Sequence, residues 1–423
     1  MRILMLAPRW PYPPDRGDTL RSWHVLQALA DRHEVWLAAV DRAAPSAEHR
    51  APVERLCRQA VALPMTGAAA LARGVGSLLA GHSLTAGYFG DARLPRLIDR
   101  WQREVRFDAL WTYSSAMAPA ADAVDAPRRI VDLGDVDSAK WALYARRSLP
   151  PKRWLYRAEA ARVGALEARA VATHDLCLLV NERERHKLRM RLPNARTGVL
   201  PTVVDLAEYA DLPVGPPTEP VIGMIGSMFY PPNVRAVHWF GRWVWPLVQR
   251  EVPAAQWWIV GSRPTRAVRR WAAEPGVTVT GYVPDVRPYL AATRVLVNAV
   301  EGDLGVQSKL IVAMAAARAA VVTPDAAAGI DYDDPPPFRV ARSAPAFADA
   351  VVQLLRDGAA ARRLATRARA VAEANYGIAG QSRRIAAFLC DPACIPAGPV
   401  SRPAVEAGLE CAPMAAGHEV ARR

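Results

Sequence analysis

Long apolar runs are missing from this chain. No stretch of its 423 residues reaches the roughly 18 uninterrupted apolar positions that a membrane-spanning helix needs; residues 66–81 come nearest and are broken by Arg73 and by interior glycines. In the N-terminal "MRILMLAPRWPYPP" a single arginine, Arg2, and only a short apolar run precede Pro8, which predicts no signal peptide. Cysteine is scarce. The five residues Cys57, Cys177, Cys390, Cys394 and Cys411 are odd in number and widely spaced, which argues against a disulfide framework and for a reducing compartment. Cys390 and Cys394 have neither a second pair nor a nearby histidine, so zinc is not expected there. The eight histidines form no HxxxH or HExxH pair, and no metal or cofactor is expected. No Ser-His-Asp or Cys-His set can be argued from spacing. There is no GxGxxG fingerprint and no GxxxxGK[ST] loop, which weakens dehydrogenase and P-loop NTPase readings. A cytoplasmic protein is expected, attached to the inner face of the plasma membrane at most peripherally.

What is present is a core and a basic surface. Hydrophobic residues make up 51% of the chain, enough for two ordinary domains. The formal charge is +13, from 54 basic and 41 acidic side chains. That excess suits anionic partners such as phosphates, a lipid surface or nucleic acid; an alanine- and arginine-rich composition alone would produce it too.

The chain alternates strand and helix signals. "RILMLA" (2–7) reads as a buried parallel strand and ends in the proline-rich loop "PRWPYPPDRGD". Residues 19–29 have helical spacing and "HEVWLAAV" (33–40) is the next strand, completing a βαβ unit. Residues 107–113, 128–135 and 174–181 continue that sheet. "LPVGPPTEP" (212–220) reads as a linker, after which the alternation restarts with strands at 220–228, 256–262, 277–283, 294–300 and 319–324 and an amphipathic segment at 234–248. A helical stretch runs over 344–389, and the proline-containing tail 391–423 predicts disorder. The fold class is α/β, two Rossmann-like domains facing across a cleft: 1–211, 212–376, and a terminal helix 377–390.

In such sheets ligands sit beyond the C-terminal ends of the strands, near helix N-termini. Three turns of the second domain meet that description: Gly226-Ser227, Gly261-Ser262-Arg263 and Gly305 to Lys309, which includes Gln307 and Ser308. The first domain offers Gly17, Asp18 and Arg21, and Asp135 to Asp137. His24, on the same helix as Arg21, either faces the cleft or packs inside.

The runs "PRWPYPPDRGDTLRSWHVLQALADRHEV", "VDLGDVDSAKWALYARRS", "GSMFYPPNVRAVHWF", "VGSRP", "VTVTGYVPDVRPYL" and "GVQSK" occur in one order over most of the chain. In this the protein resembles the sugar transferases of exosortase-linked exopolysaccharide clusters, within the retaining GT-B glycosyltransferases of family four. The resemblance covers about residues 1–389. It implies a nucleotide-diphosphate-sugar donor on the second domain, a glycan or lipid-linked glycan acceptor mainly on the first, and a last helix that crosses back. It places Gly17 beside the donor phosphate or acceptor, Gly226 and Ser227 at the diphosphate, Arg263 at the donor, Asp285 to Arg287 near the base, and Gln307 and Lys309 facing the phosphates.

The family pattern is broken where it matters. Val312 stands where a glutamate typically holds the ribose hydroxyls, and Leu304 where another faces the sugar. Losing one charged acceptor costs about 1.5–3 kcal/mol. Two readings follow, an altered but active transferase and a weakened GT-B scaffold in a polysaccharide assembly complex; an epimerase would rest on Asp135 and Asp137. Those aspartates either contact acceptor hydroxyls and aid proton transfer, or Asp135 caps the next helix. Between Lys140 and Arg169 eight basic residues, with Trp141, Trp154 and Tyr156 among them, stand against two acids. That stretch suits an anionic inner leaflet, or a solvated helix face with inward aromatics; no nucleic-acid motif accompanies it.

Overall fold

A computed structural model describes residues 1–302 and 305–390. The tail expected to be disordered, 391–423, and Leu304 lie outside the described residues.

The first sheet has seven parallel strands: β1 (Arg2–Ala7), β2 (Glu34–Asp41), β3 (Gln59–Pro64), β4 (Ala109–Tyr113), β5 (Arg128–Gly134), β6 (Leu176–Leu179) and β7 (Thr197–Val199), in the order β3-β2-β1-β4-β5-β6-β7. The second has six: β8 (Val221–Ile225), β9 (Gln256–Val260), β10 (Val277–Gly281), β11 (Val295–Asn298), β12 (Ala319–Val322) and β13 (Arg339–Val340), in the order β10-β9-β8-β11-β12-β13. Both are doubly wound α/β sheets, as the strand-and-helix alternation predicts. The period of two along each strand divides the core. Ile3, Met5, Val35 and Leu37 pack on one face of the first sheet, and Leu4, Leu6, Trp36 and Ala38 on the other. The second sheet divides likewise, with Val295 and Val297 opposite Leu296.

Three strands carry no clear sequence signal. β3, β7 and β13 are all edge strands, short or only half-buried, so none needs an unbroken apolar run. The helical stretch 344–389 is three helices: Ala344–Arg356, Gly358–Asn375 and Ile378–Cys390. Asp357 ends the first and caps the second, accepting from the Ala360 N–H at 2.9 Å. The last helix crosses back. Its Ile385, Phe388 and Leu389 join the core beneath β1 and β2, Arg128 donates to the Phe388 carbonyl at 2.6 Å, and Gln381 donates to the Pro201 carbonyl at 3.1 Å.

The segment between the sheets is held rather than loose. Arg318, 1% exposed, donates to the carbonyls of Gly215 (2.9 Å) and Pro213. These bonds pin residues 212–220 against the second domain.

Candidate active site

The C-terminal ends of β8 and β9 form one crowded corner. The backbone of Gly261 lies so close to Gly226 that a Cβ there would overlap the Gly226 carbonyl oxygen and sit 2.8 Å from its carbon; both residues also have positive φ, +148° and +155°. Two backbone bonds stitch the turns, Gly226 N–H to Val260 (3.0 Å) and Met228 N–H to Ser262 (2.8 Å). Above them Asn233, 8% exposed, bridges two candidates: its Nδ2 donates to the Ser227 carbonyl at 2.9 Å and its Oδ1 accepts from Lys309 Nζ. Lys309 follows Ser308 at the start of the helix Ser308–Ala315, whose N-cap is Gln307. The ammonium is enclosed, and burial lowers its pKa to about 8. A helix N-terminus, a lysine and two glycine turns therefore converge, a suitable cradle for an anion. Arg263 is exposed at the rim, with its guanidinium 4.1 Å from the centre of the Phe229 ring.

The first domain presents Asp135 and Asp137 at the end of β5. Asp135 packs directly on Gly305: a Cβ on Gly305 would lie 2.6 Å from both Cγ and Oδ2 of the carboxylate, and closer still to Oδ1. Oδ1 of Asp135 is closed off from solvent and has no hydrogen-bond partner among the described residues. Burial raises the Asp135 pKa to about 7, helped by the nearby charges of Glu184 and Asp137. Burial also raises that of Asp137. Lys140 faces both acids together with Tyr144 and Tyr230; burial acts to lower its pKa, but these neighbours outweigh it. On the same side Gly17 opens the helix Gly17–Ala30 opposite Ser308, whose Oγ would be 3.9 Å from a Cβ at position 17.

Asp135 does not cap the helix Asp137–Arg146. That helix has Val136 as its N-cap and draws on two glutamates from other helices. Glu184 accepts from the Val136 N–H and Glu167 from the Ser138 N–H, both at 2.9 Å. With the N-terminal donors satisfied from behind, the Asp135 side chain is left facing the cleft.

Arg21, expected at the substrate, is instead 2% exposed. Its Nε lies 2.9 Å from Asp132 Oδ2, its Nη2 2.7 Å from Asp132 Oδ1, and its Nη1 donates to the Leu200 carbonyl at 2.7 Å. All three nitrogens are used within the first domain, so Arg21 braces the floor of the site. Asp18 pairs with Arg9 at 2.8 Å. His24 is 6% exposed and packed inside. Val312 is half-buried and packs against the core that holds Ile311 and Met314. Asp285 and Arg287 form an exposed ion pair at 2.9 Å. Lys140 lies one turn after Asp137 on the same helix, whereas sequence spacing carries no hint of Asn233 or Glu184, because each meets the site only through another element. Nor does it single out Arg147, whose Nη1 and Nη2 lie 2.9 Å from where a Cβ on Gly302 of the second domain would be. Among the described residues no group of three or more His, Cys, Asp or Glu side chains could hold a metal ion.

Solved structures share this architecture at low sequence identity. HepE from Anabaena, in complex with UDP and glucose, aligns with a TM-score of 0.59 and 14% identity over 91% of this chain and 98% of its own. Sucrose-phosphate synthase from Thermosynechococcus elongatus gives 0.64 and 13%, with the same coverage. A glycosyltransferase from Rickettsia africae gives 0.63 and 11%, over 93% of this chain and 98% of its own. No curated protein sequence matches. These likenesses establish the GT-B fold. Residues 219–357, most of the second domain, match the family model described as Glycosyl transferases group 1, so the chain has the two-domain GT-B fold and resembles that family over this stretch.

Proposed function

We propose that the protein transfers a sugar from a nucleoside-diphosphate sugar to a glycan acceptor, with retention at the transferred carbon. The observation that carries this reading is the convergence of Gly226, Gly261, Lys309 and the N-terminus of the 308–315 helix on one face of a cleft, with Asp135 on the other. The cradle binds the diphosphate. The leaving phosphate gains negative charge as the glycosidic bond breaks, and the Lys309 ammonium and the helix N-terminus are already oriented to stabilise it. The acceptor hydroxyl enters from the first domain on the same face and loses its proton as the new bond forms. Asp135, held near neutrality, contacts that hydroxyl and is poised to exchange the proton. UDP and UDP-glucose occupy HepE crystals, and a uridine nucleotide is the first donor to try. A polysaccharide or its lipid-linked precursor is the acceptor class that the sequence runs suggest.

The second reading, a GT-B scaffold within a polysaccharide assembly complex, is favoured by one observation: Val312 offers no acceptor to a ribose. Calorimetric titration separates them. UDP should bind, Lys309→Ala should weaken binding at least tenfold, and affinity should fall as pH rises through about 8, where Lys309 loses its proton. Absence of binding by UDP and the other common nucleoside diphosphates would leave the scaffold in front.

A further inference from the structure

Two exposed apolar sets on the first domain are unaccounted for by the cleft. The helix Gly67–Leu79 buries Ala70 and Gly74 and leaves Leu71, Val75 and Leu79 exposed, at four-residue spacing and so on one face. The turn into the helix Lys152–Thr173 exposes Leu149, Trp154 and Leu155. Across both sets exposure runs from 42% for Leu155 to 84% for Leu79.

Glu159 joins the two. It is 2% exposed and accepts from Ser83 Oγ (2.8 Å), Leu84 N–H (2.9 Å), and both the N–H (2.9 Å) and Oγ1 (2.8 Å) of Thr85. This clamps the helix Leu84–Phe89, and with it the hairpin that it forms with Gly67–Leu79, onto the 152–173 helix. Trp154 is about 7.5 Å along the helix axis from Glu159, at 1.5 Å per residue, and Leu79 is four residues before Ser83. One end of each apolar set therefore lies within a few residues of the clamp. The clamp also removes the acid from the surface. From Thr66 to Gly90 there is no Asp or Glu, and from Arg146 to Arg157 there are five basic residues (Arg146, Arg147, Lys152, Arg153, Arg157) and no acid. Trp141, Tyr144 and Tyr156 are a separate matter: their rings pack on one another, with centroids 5.5–6.2 Å apart, and are only half-exposed.

We infer that this face docks on an anionic lipid bilayer, with Leu71, Val75, Leu79, Leu149, Trp154 and Leu155 entering the interface and the flanking arginines and lysines meeting acidic headgroups. Leucine and tryptophan framed by cations alone match the chemistry of that boundary, whereas a protein partner with only acidic complement would leave the leucines without apolar cover. Among the described residues no helix is long and apolar enough to cross a membrane, so the contact is interfacial. The surface does not depend on the transferase reading, since none of its residues lines the cradle.

The full chain is tested by sedimentation with vesicles, either of phosphatidylcholine alone or with about a third phosphatidylserine, which supplies the negative surface potential. Binding to the acidic vesicles should be at least tenfold tighter and should be lost by roughly 0.3 M salt, as screening shortens the field. Leu79→Glu with Trp154→Ser should reduce it at least tenfold, and Lys152→Glu with Arg153→Glu likewise, while the melting temperature and UDP affinity stay unchanged. Equal binding to neutral vesicles, no binding at low salt, or variants that bind like the parent would overturn the inference. So would a concentration-dependent dimer that the same variants dissolve, which would give this face to a second copy.

Discussion

The carboxylate of Asp135 rests on the Cα of Gly305, one residue from each domain, with no room between them for a methyl group. This contact makes the two domains sense each other. Gly305→Ala should be costly twice over, once for its φ of +68° and once for the collision with Asp135. The second part is removable. In a double-mutant cycle, Asp135→Ala should recover about 0.5–3 kcal/mol of the loss caused by Gly305→Ala, the range for residues in direct contact. Additive effects in thermal melts would show that the domains do not meet here in solution.

The same aspartate predicts a pH dependence of stability. Its pKa is about 7 in the fold, against roughly 3.9 in an unfolded chain. Below about pH 4 both states hold the proton. Between about 4 and 7 the fold retains a proton that the unfolded chain has released, so this contribution to stability is lost as pH rises through 7. Asp135→Asn should therefore melt several degrees above the parent at pH 8, and the gap should close toward pH 4. A gap independent of pH would mean that Asp135 is ionised in the fold throughout.

Much of the fold is legible in the residues, and the exceptions share a cause. β1, β2 and β11 are read directly because strands covered on both faces must be apolar along their length. β7 and β13 are short edges with little to bury and escape notice. At the site, Gly226, Gly261 and Lys309 are visible because each follows a strand or opens a helix, a local arrangement. Arg21 looks like a ligand residue by position, but a buried Asp132 that lies 111 positions away claims it. Glu184 and Asn233 matter only through partners on other elements, and no spacing rule connects residues that tertiary packing alone brings together.

Ala317 occupies a position made for glycine. The helix Ser308–Ala315 ends with the Ala317 N–H bonded to Met314 (3.0 Å) and the Arg318 N–H to Ala313 (2.9 Å), and Ala317 adopts φ +50°. Ala317→Gly should stabilise the second domain by about 0.5–1 kcal/mol, a rise of roughly 1–3 °C in Tm. A fall would show that the buried methyl, 3% exposed, contributes more by packing than it costs in backbone strain.

Val312 tests the weakened nucleotide handle. It is half-buried, so a longer side chain at this position has an exit from the core. Val312→Glu should fold and bind UDP about five- to a hundredfold more tightly, the equivalent of one restored charged hydrogen bond. The gain should shrink for the 2′-deoxy nucleotide. A variant that melts lower with unchanged affinity would place Val312 in the core and away from the ribose.

The returning helix Ile378–Cys390 has a consequence for synthesis. The core beneath β1 and β2 is closed by Ile385, Phe388 and Leu389, which emerge from the ribosome after the entire second domain. At about 5–20 residues per second, the first domain waits roughly 10 to 40 seconds between completion of its own strands and arrival of its last packing element. During that interval Val25, Leu26 and Leu29 have an open flank, while the second domain is free to form its sheet. The order of maturation is thus reversed relative to the order of translation, and the half of the protein made first is the half finished last.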